Sequence, residues 1–145
     1  MRRFFKRNKP ESQVQNAVLQ VDGTPVTILI VDDSPTETHI LKGILERGGY
    51  RVITADNGER GVSAAMETIP NLILMDVVMP GLNGFQATRQ LSQTPETADI
   101  PIIMVSTKGQ ETDRAWGMRQ GARDYVVKPV SPDELLDKIS VVLNV

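Results

Sequence analysis

Cysteine is absent from this chain of 145 residues, and its absence removes several kinds of chemistry at once. Disulfide bonds, catalysis by a thiol and metal sites built on thiolates are all excluded. Histidine occurs once, as His39, so no metal site is built on a pair of imidazoles. No apolar run approaches the roughly 20 residues that a membrane-spanning helix needs. We therefore expect a soluble protein of a reducing compartment, the cytoplasm.

Basic residues are scarce outside the first segment of the chain. Residues 1–10, MRRFFKRNKP, hold five of the 16 lysines and arginines and no acidic residue. The other 135 residues carry 11 basic and 18 acidic side chains, a net charge of −7. Such an acidic body argues against nucleic acid as a partner. The basic start is not a secretory signal, because no apolar segment follows it.

The chain is predicted to have two parts, an arm at 1–25 and one domain at 26–145. The arm is polar with scattered apolar residues and ends on the turn signal DGTP. Its positive charges, with Phe4 and Phe5, are compatible with a weak contact to an anionic membrane. A flexible, solvated tail is the favoured interpretation.

Apolar runs without polar alternation predict strands that are buried on both faces, as in a parallel sheet. Helical segments separate these runs, and the alternation of strand and helix predicts an α/β fold. Its parallel sheet has five strands, with five helices divided between the two faces. The runs are VTILIV at 26–31, YRVITA at 50–55, NLILM at 71–75, IPIIMV at 100–105 and YVV at 125–127.

The first helix has a clear start signal and a predicted apolar face. The sequence SPTE, at 34–37, is typical of a capping box in which Ser34 caps the helix and Glu37 reaches back to it. Helical spacing predicts that one face is buried. That face comprises Ile40, Leu41, Ile44 and Leu45. Further helix starts are predicted at Asn57-Gly58, Asn83-Gly84 and the SPDE sequence at 131–134.

Polar side chains stand at the carboxyl ends of four of the predicted strands. Carboxyl ends of parallel strands form one edge of an open sheet, and ligands bind at that edge. We therefore expect these side chains to meet in one cleft. They are Asp32 and Asp33 after the first strand, Asp76 after the third, Ser106 after the fourth and Lys128 after the fifth.

Three carboxylates in one cleft repel one another, so the cleft is expected to bind a cation. All the ligands are hard oxygens, which makes Mg²⁺ the natural choice. A cation, an ammonium group and a hydroxyl around a nucleophilic carboxylate suit the transfer of a phosphoryl group.

The motifs at these strand ends resemble those of a known family. VDD, MDVVMPGLNG, VST and YVVKP are similar, in this order, to the motifs of the receiver domain of two-component response regulators. The resemblance covers roughly residues 26–145 and implies the flavodoxin-like strand order 2-1-3-4-5. VDDSPTE, VMPGLNGFQATRQL and TKGQETDRAWGMRQGARDY resemble more narrowly the single-domain regulators of type IV pilus twitching motility.

The resemblance implies chemical roles for the residues of the cleft. Asp76 matches the phosphoacceptor, and Lys128 matches the lysine that pairs with the phosphoryl group. Asp33 matches a direct ligand of Mg²⁺, and Asp32 a ligand that acts largely through water. Asp76 and the backbone carbonyl of Val78 complete the protein ligands that the family implies.

The resemblance also implies a conformational switch. Ser106 matches the switch hydroxyl, which moves toward the phosphoryl group, and Tyr125 matches an aromatic residue that then turns inward. The segment 108–123 is expected to shift with them. The Lys128-Pro129 bond matches a peptide bond that is cis in the family, and X-Pro is the only bond type in which cis is common.

The implied function is that of a single-domain response regulator. A sensor histidine kinase donates the phosphoryl group, and output is contact with an unknown protein target, since no further domain follows Val145. The protein is expected to catalyse only its own phosphorylation and dephosphorylation. A second possibility is a phosphate sink for a shared kinase.

Three competing hypotheses belong to different functional classes. A phosphohydrolase with an aspartyl-phosphate intermediate is disfavoured by the adjacent acids after the first strand and the missing cap domain. A nucleotide-binding protein is disfavoured because DDSPTE has no glycine-rich phosphate loop. A receiver-like domain that is never phosphorylated is disfavoured because all five site residues are present. Taken alone, Asp32-Asp33 is equally typical of a helix cap or turn, but Asp76 and Lys128 at the ends of other strands favour the functional interpretation.

Overall fold

The five apolar runs of the sequence become five parallel strands of one sheet. The computed structural model describes residues 20–21 and 23–145, and most of the predicted arm, 1–19, lies outside them. The strands and helices are β1 Gln20–Val21, β2 Thr24–Pro25, β3 Thr27–Val31, α1 Pro35–Arg47, β4 Arg51–Ala55, α2 Gly58–Thr68, β5 Leu72–Met75, α3 Gly84–Gln93, β6 Ile102–Ser106, α4 Glu111–Gln120, β7 Asp124–Val127 and α5 Pro132–Leu143.

The order of strands across the sheet is β4-β3-β5-β6-β7, all parallel. Counted along the chain within this sheet, it is the predicted order 2-1-3-4-5, and the flavodoxin-like fold is confirmed. β1 and β2 form a separate antiparallel pair inside the segment predicted as the arm. The division of the chain at residue 26 stays a prediction.

The core consists of two apolar layers, one on each face of the sheet. Helices α1 and α5 cover one face, and α2 and α3 cover the other together with α4. All four residues of Leu72–Met75 are at most 1% exposed, which explains why the central strands are continuous apolar runs in the sequence. No helix in the described part of the chain is long and apolar enough to span a membrane.

Two details of α1 differ from the prediction. Ile40 is 49% exposed, and the buried face consists of Leu41, Ile44 and Leu45. Ser34 caps the helix as predicted, since its side chain accepts a hydrogen bond from the backbone N–H of Glu37 at 3.2 Å. The reciprocal half of the capping box does not form, because the Ser34 N–H donates instead to Asp32 Oδ1 at 2.9 Å.

Candidate functional site

The carboxyl edge of the sheet brings the three predicted aspartates together. A carboxylate oxygen of each of Asp32, Asp33 and Asp76 lies within 4.8 Å of the others. The cause is the register, because Val31 pairs with Met75 and an aspartate follows each of these residues. Asp32 and Asp76 are 2% and 9% exposed, whereas Asp33 is exposed. One open and two buried carboxylates therefore share one cleft.

Lys128 reaches the same cleft from the end of β7. Its Nζ lies 3.0 Å from Asp32 Oδ2, 3.6 Å from Glu37 Oε1 and 3.7 Å from Asp76 Oδ2. The Lys128-Pro129 bond that precedes α5 is cis, as the resemblance implied. A single ammonium group thus faces three carboxylates.

The charges of the cleft are incompletely balanced. Burial raises the pKa of Asp76 to about 6, and the negative charge of Asp32 contributes, while Lys128 and the Val77 N–H oppose the shift. That N–H donates to Asp76 Oδ1 at 2.8 Å. Burial lowers the pKa of Lys128, but its hydrogen bond with Asp32 and the neighbouring carboxylates outweigh burial and raise it overall. The lysine stays charged, and Asp76 remains poorly compensated.

A hard divalent cation fits this set of ligands. Within the described residues, Asp32, Asp33 and Asp76 are the only group of three or more acidic, histidine or cysteine side chains placed to hold an ion together. All of them offer oxygen, as Mg²⁺ prefers. The remaining negative charge at Asp76 is what a cation would neutralise. The residues therefore fit Mg²⁺, the metal that the sequence predicted.

The start of α3 holds the backbone of Asp76 in place. A Cβ at Gly84 would overlap the carbonyl oxygen of Asp76, so only glycine allows the helix to begin so close. The Gly84 N–H donates to Val77 O at 2.8 Å, and Asn83 caps the helix in a complete capping box with Gln86. The sequence predicted the cap at Asn83 but not the contact with Asp76.

Ser106 and Tyr125 are connected through the backbone of Lys108. Ser106 is fully buried, and its Oγ accepts a hydrogen bond from the Lys108 N–H at 3.2 Å. The hydroxyl of Tyr125 donates to the Lys108 carbonyl at 2.5 Å. The N–H and the carbonyl of Lys108 therefore connect the two predicted switch residues, Ser106 and Tyr125.

The inward position predicted for Tyr125 after phosphorylation is already occupied in this conformation. The ring is 2% exposed and lies against α4, where a Cβ at Gly117 would come within 3.3 Å of it. Arg114 stands over the ring, 5.7 Å from its centroid. Burial raises the pKa of the Tyr125 hydroxyl. The missing side chain at Gly117 makes room for the ring.

Sequence reasoning missed Glu37 as a member of the cleft. It assigned Glu37 to a helix cap, whereas the carboxylate lies beside Lys128. Nothing local in the sequence points to this contact, because it joins α1 to the end of β7. His39, the single histidine, lies exposed on α1.

Comparisons with known proteins agree with this geometry. A family model described as the response regulator receiver domain matches residues 28–140. The chain is 59% identical over 116 residues to the protein PilH of Pseudomonas aeruginosa, a match that covers 80% of this chain and 96% of PilH.

Two solved structures are similar over most of the chain. A protein described as a response regulator from Chloroflexus aurantiacus has a TM-score of 0.81 at 33% identity, covering 84% of this chain and 100% of that one. The receiver domain of a sensor histidine kinase from Pseudomonas aeruginosa has a TM-score of 0.76 at 29% identity, covering 82% and 98%. That structure holds a magnesium ion coordinated in its active-site cleft.

Proposed function

The chain belongs to the response regulator receiver domain family, and on that premise we propose that it is a signalling protein switched by phosphorylation of Asp76. The observation that carries the proposal is the position of Asp76, nearly buried beside Asp32 and 3.7 Å from the Lys128 ammonium. The proposed phosphodonor is a phosphohistidine of a sensor histidine kinase in the cytoplasm. The output is contact with a target protein.

Asp76 acts as the nucleophile in this proposal. Its Oδ1 is held by the Val77 N–H, and its Oδ2 faces Lys128. An oxygen of Asp76 forms a bond to phosphorus as the bond from phosphorus to the imidazole nitrogen breaks, and the imidazole leaves with its electron pair. The Lys128 ammonium stabilises the negative charge of the phosphoryl oxygens. The protein catalyses no reaction other than its own phosphorylation and dephosphorylation.

Asp32, Asp33, Asp76 and the backbone carbonyl of Val78 are the proposed ligands of Mg²⁺. When bound, the ion supplies positive charge that offsets the repulsion between the carboxylates and the incoming phosphoryl oxygens. In its absence the carboxylates of the cleft oppose the approach of any anion.

The proposed signal leaves the site through Lys108. When Ser106 turns to donate to a phosphoryl oxygen, its hydroxyl no longer accepts from the Lys108 N–H. The backbone of Lys108 then moves, and with it the carbonyl that holds Tyr125. The segment 108–123 contains α4, so the surface formed by α4, β7 and α5 changes. The phosphoryl group acts by favouring one of two states.

The pathway is proposed from the relationship to PilH. Identity of 59% over nearly the whole of that protein, together with the motifs that resemble twitching-motility regulators, supports a role in type IV pilus or chemotaxis-like signalling. The kinase and the target are the partners that would define this role.

Phosphorylation with acetyl phosphate and Mg²⁺, followed by intact-protein mass measurement, tests the assignment of Asp76. The wild type is expected to gain one phosphoryl group, and Asp76→Asn none. Asp56→Asn is the matched control, because Asp56 follows the neighbouring strand β4 but pairs with Arg60 on the surface. It should be phosphorylated like the wild type. Uptake by Asp76→Asn at the wild-type rate would disprove the assignment.

A further inference from the structure

The start of α2 packs against the loop between β5 and α3, residues 76–83. Glu59 lies in the first turn of α2, and its Oε2 accepts a hydrogen bond from the Leu82 N–H at 3.3 Å. A Cβ at Gly58 would overlap the Leu82 carbonyl, so the two backbones touch. Gly81 has a φ of +73°, and a Cβ there would lie only 3.2 Å from Glu59 Oε2. Helix and loop fit each other closely at this point.

Further anchors hold the start, the middle and the end of the same loop. Its first residue, Asp76, donates its N–H to Val31 O at 2.9 Å, and the Gly84 N–H closes the loop onto Val77 O at 2.8 Å. Met79 packs into the core and is 7% exposed. Val78 lies among these points with its own side chain 59% exposed. The position of the Val78 backbone therefore depends on the anchors on both sides of it, and the contact of the Leu82 N–H with Glu59 is one of these anchors.

We propose that Glu59 is a positioning residue for the metal site. By holding the Leu82 N–H, Glu59 fixes the half of the loop that follows Met79. It thereby fixes the direction of the Val78 carbonyl, one of the proposed ligands. This inference rests on the proposed function, since it concerns the same Mg²⁺. Glu59 is absent from the aspartate cluster and acts through Leu82. Groups that orient metal ligands typically change metal affinity when they are removed.

Calorimetric titration of full-length, metal-free protein with MgCl₂ measures how Glu59 affects the affinity for Mg²⁺. Glu59→Ala is expected to weaken Mg²⁺ binding by roughly tenfold, at the lower end for such groups, because the hydrogen bond is long and exposed. Glu59→Gln keeps an acceptor oxygen without the charge and should bind within about twofold of the wild type. Glu67→Ala, which removes the same charge from the last turn of α2, is the matched control and should bind normally.

Hydrogen exchange of the Leu82 amide, followed by NMR in the presence of a chelator, shows whether Glu59 holds the Leu82 N–H when no metal is bound. Exchange should be faster in Glu59→Ala than in the wild type and in Glu67→Ala, with the thermal midpoint little changed. Unchanged Mg²⁺ affinity in Glu59→Ala would overturn the inference, as would equal weakening in Glu59→Gln, which would indicate a charge effect instead. If wild type and Asp33→Asn bind Mg²⁺ equally, the proposed metal site itself fails, and the Leu82 exchange still shows whether Glu59 holds the loop.

Discussion

At the scale of the residue, Asp76 is held where its own charge is disfavoured. Burial and the neighbouring Asp32 raise its pKa to about 6 from an ordinary value of 3.8. The role of phosphoacceptor proposed for Asp76 benefits from this, because a carboxylate that is poorly solvated and poorly paired is a better nucleophile. The buried charge lowers the stability of the folded state, because a carboxylate is solvated less well in the protein than in water.

The metal-free protein should therefore be stabilised by Asp76→Asn at neutral pH. The folded state binds a proton on Asp76 more tightly than the unfolded chain does. The contribution of Asp76 to the wild-type free energy of unfolding is therefore lost as the pH rises from 3.8 to about 6. A shift of about two pKa units sets an upper limit of about 3 kcal/mol, and we expect a gain of about 1 to 2 kcal/mol in the free energy of unfolding. Urea unfolding at pH 7.5 with a chelator measures it.

The same measurement at about pH 2.5, more than one unit below the ordinary pKa of 3.8, is the control for this prediction. There Asp76 is protonated in both the folded and the unfolded state, so wild type and Asp76→Asn should differ little. A difference of equal size at both pH values would show that the amide stabilises the fold by some means other than removing the charge.

At the scale of the element, α3 positions Asp76, the proposed phosphoacceptor, through its first residue. Gly84→Ala forces a Cβ onto the Asp76 carbonyl, so helix or loop must move. We expect a loss of about 2 kcal/mol or more in the free energy of unfolding and slower phosphorylation of Asp76. Gly43→Ala in α1 is the matched control, because its Cβ would meet only the end of the flexible Arg47 side chain.

The control substitution should stabilise the protein slightly, by about 0.5 to 1 kcal/mol, as alanine does inside a helix. Chemical denaturation and phosphorylation by acetyl phosphate are measured on both variants. If Gly84→Ala is as stable and as reactive as the wild type, α3 does not depend on this close approach.

The proposed switch of α4 can be followed through Trp116, which lies on that helix and is 47% exposed. With Mg²⁺ and acetyl phosphate in excess, Ser106→Ala should still be phosphorylated, because Asp76 and Lys128 remain. Its Trp116 fluorescence should respond much less than in the wild type, since the Ser106 hydroxyl no longer exchanges the Lys108 N–H for a phosphoryl oxygen.

Thr107→Ala is the matched control for this switch, as Thr107 is the next residue and is exposed. It should show the normal fluorescence change. A full response in Ser106→Ala would mean that the signal reaches α4 by a route that avoids the hydroxyl.

At the scale of the whole molecule, the charge of the chain is divided between a basic start and an acidic body. The five positive charges of residues 1–10 lie outside the described residues, so their role stays a prediction. Near an anionic membrane each is worth about 1 kcal/mol, a contribution that salt screens. The acidic body opposes the same contact.

Liposome flotation of the full chain and of a chain beginning at Thr24 tests the arm. The shortened chain loses β1 but keeps every strand of the five-stranded sheet. We expect both chains to float equally poorly on anionic liposomes at physiological salt. Stronger flotation of the full chain alone would identify the arm as a membrane anchor.

Much of this molecule was determined by its sequence. Strands buried on both faces require continuous apolar runs, and these runs predicted the sheet and its five strands. In a parallel sheet, polar residues after such runs must lie at one edge. The meeting of Asp32, Asp76 and Lys128 was predictable for that reason. The resemblance of the motifs added the strand order and the identity of the family.

Several contacts were decided only by the tertiary structure. Asp32 accepts the Ser34 N–H that the capping box would have used, which leaves Glu37 beside Lys128. Ile40 fits the helical spacing of the apolar residues, yet it lies outside the face of α1 that packs against the sheet. Glu59 meets Leu82 because α2 and α3 pack side by side. Each case depends on how elements that are distant in the chain pack together. Local sequence propensity does not determine which residue of another element a side chain contacts.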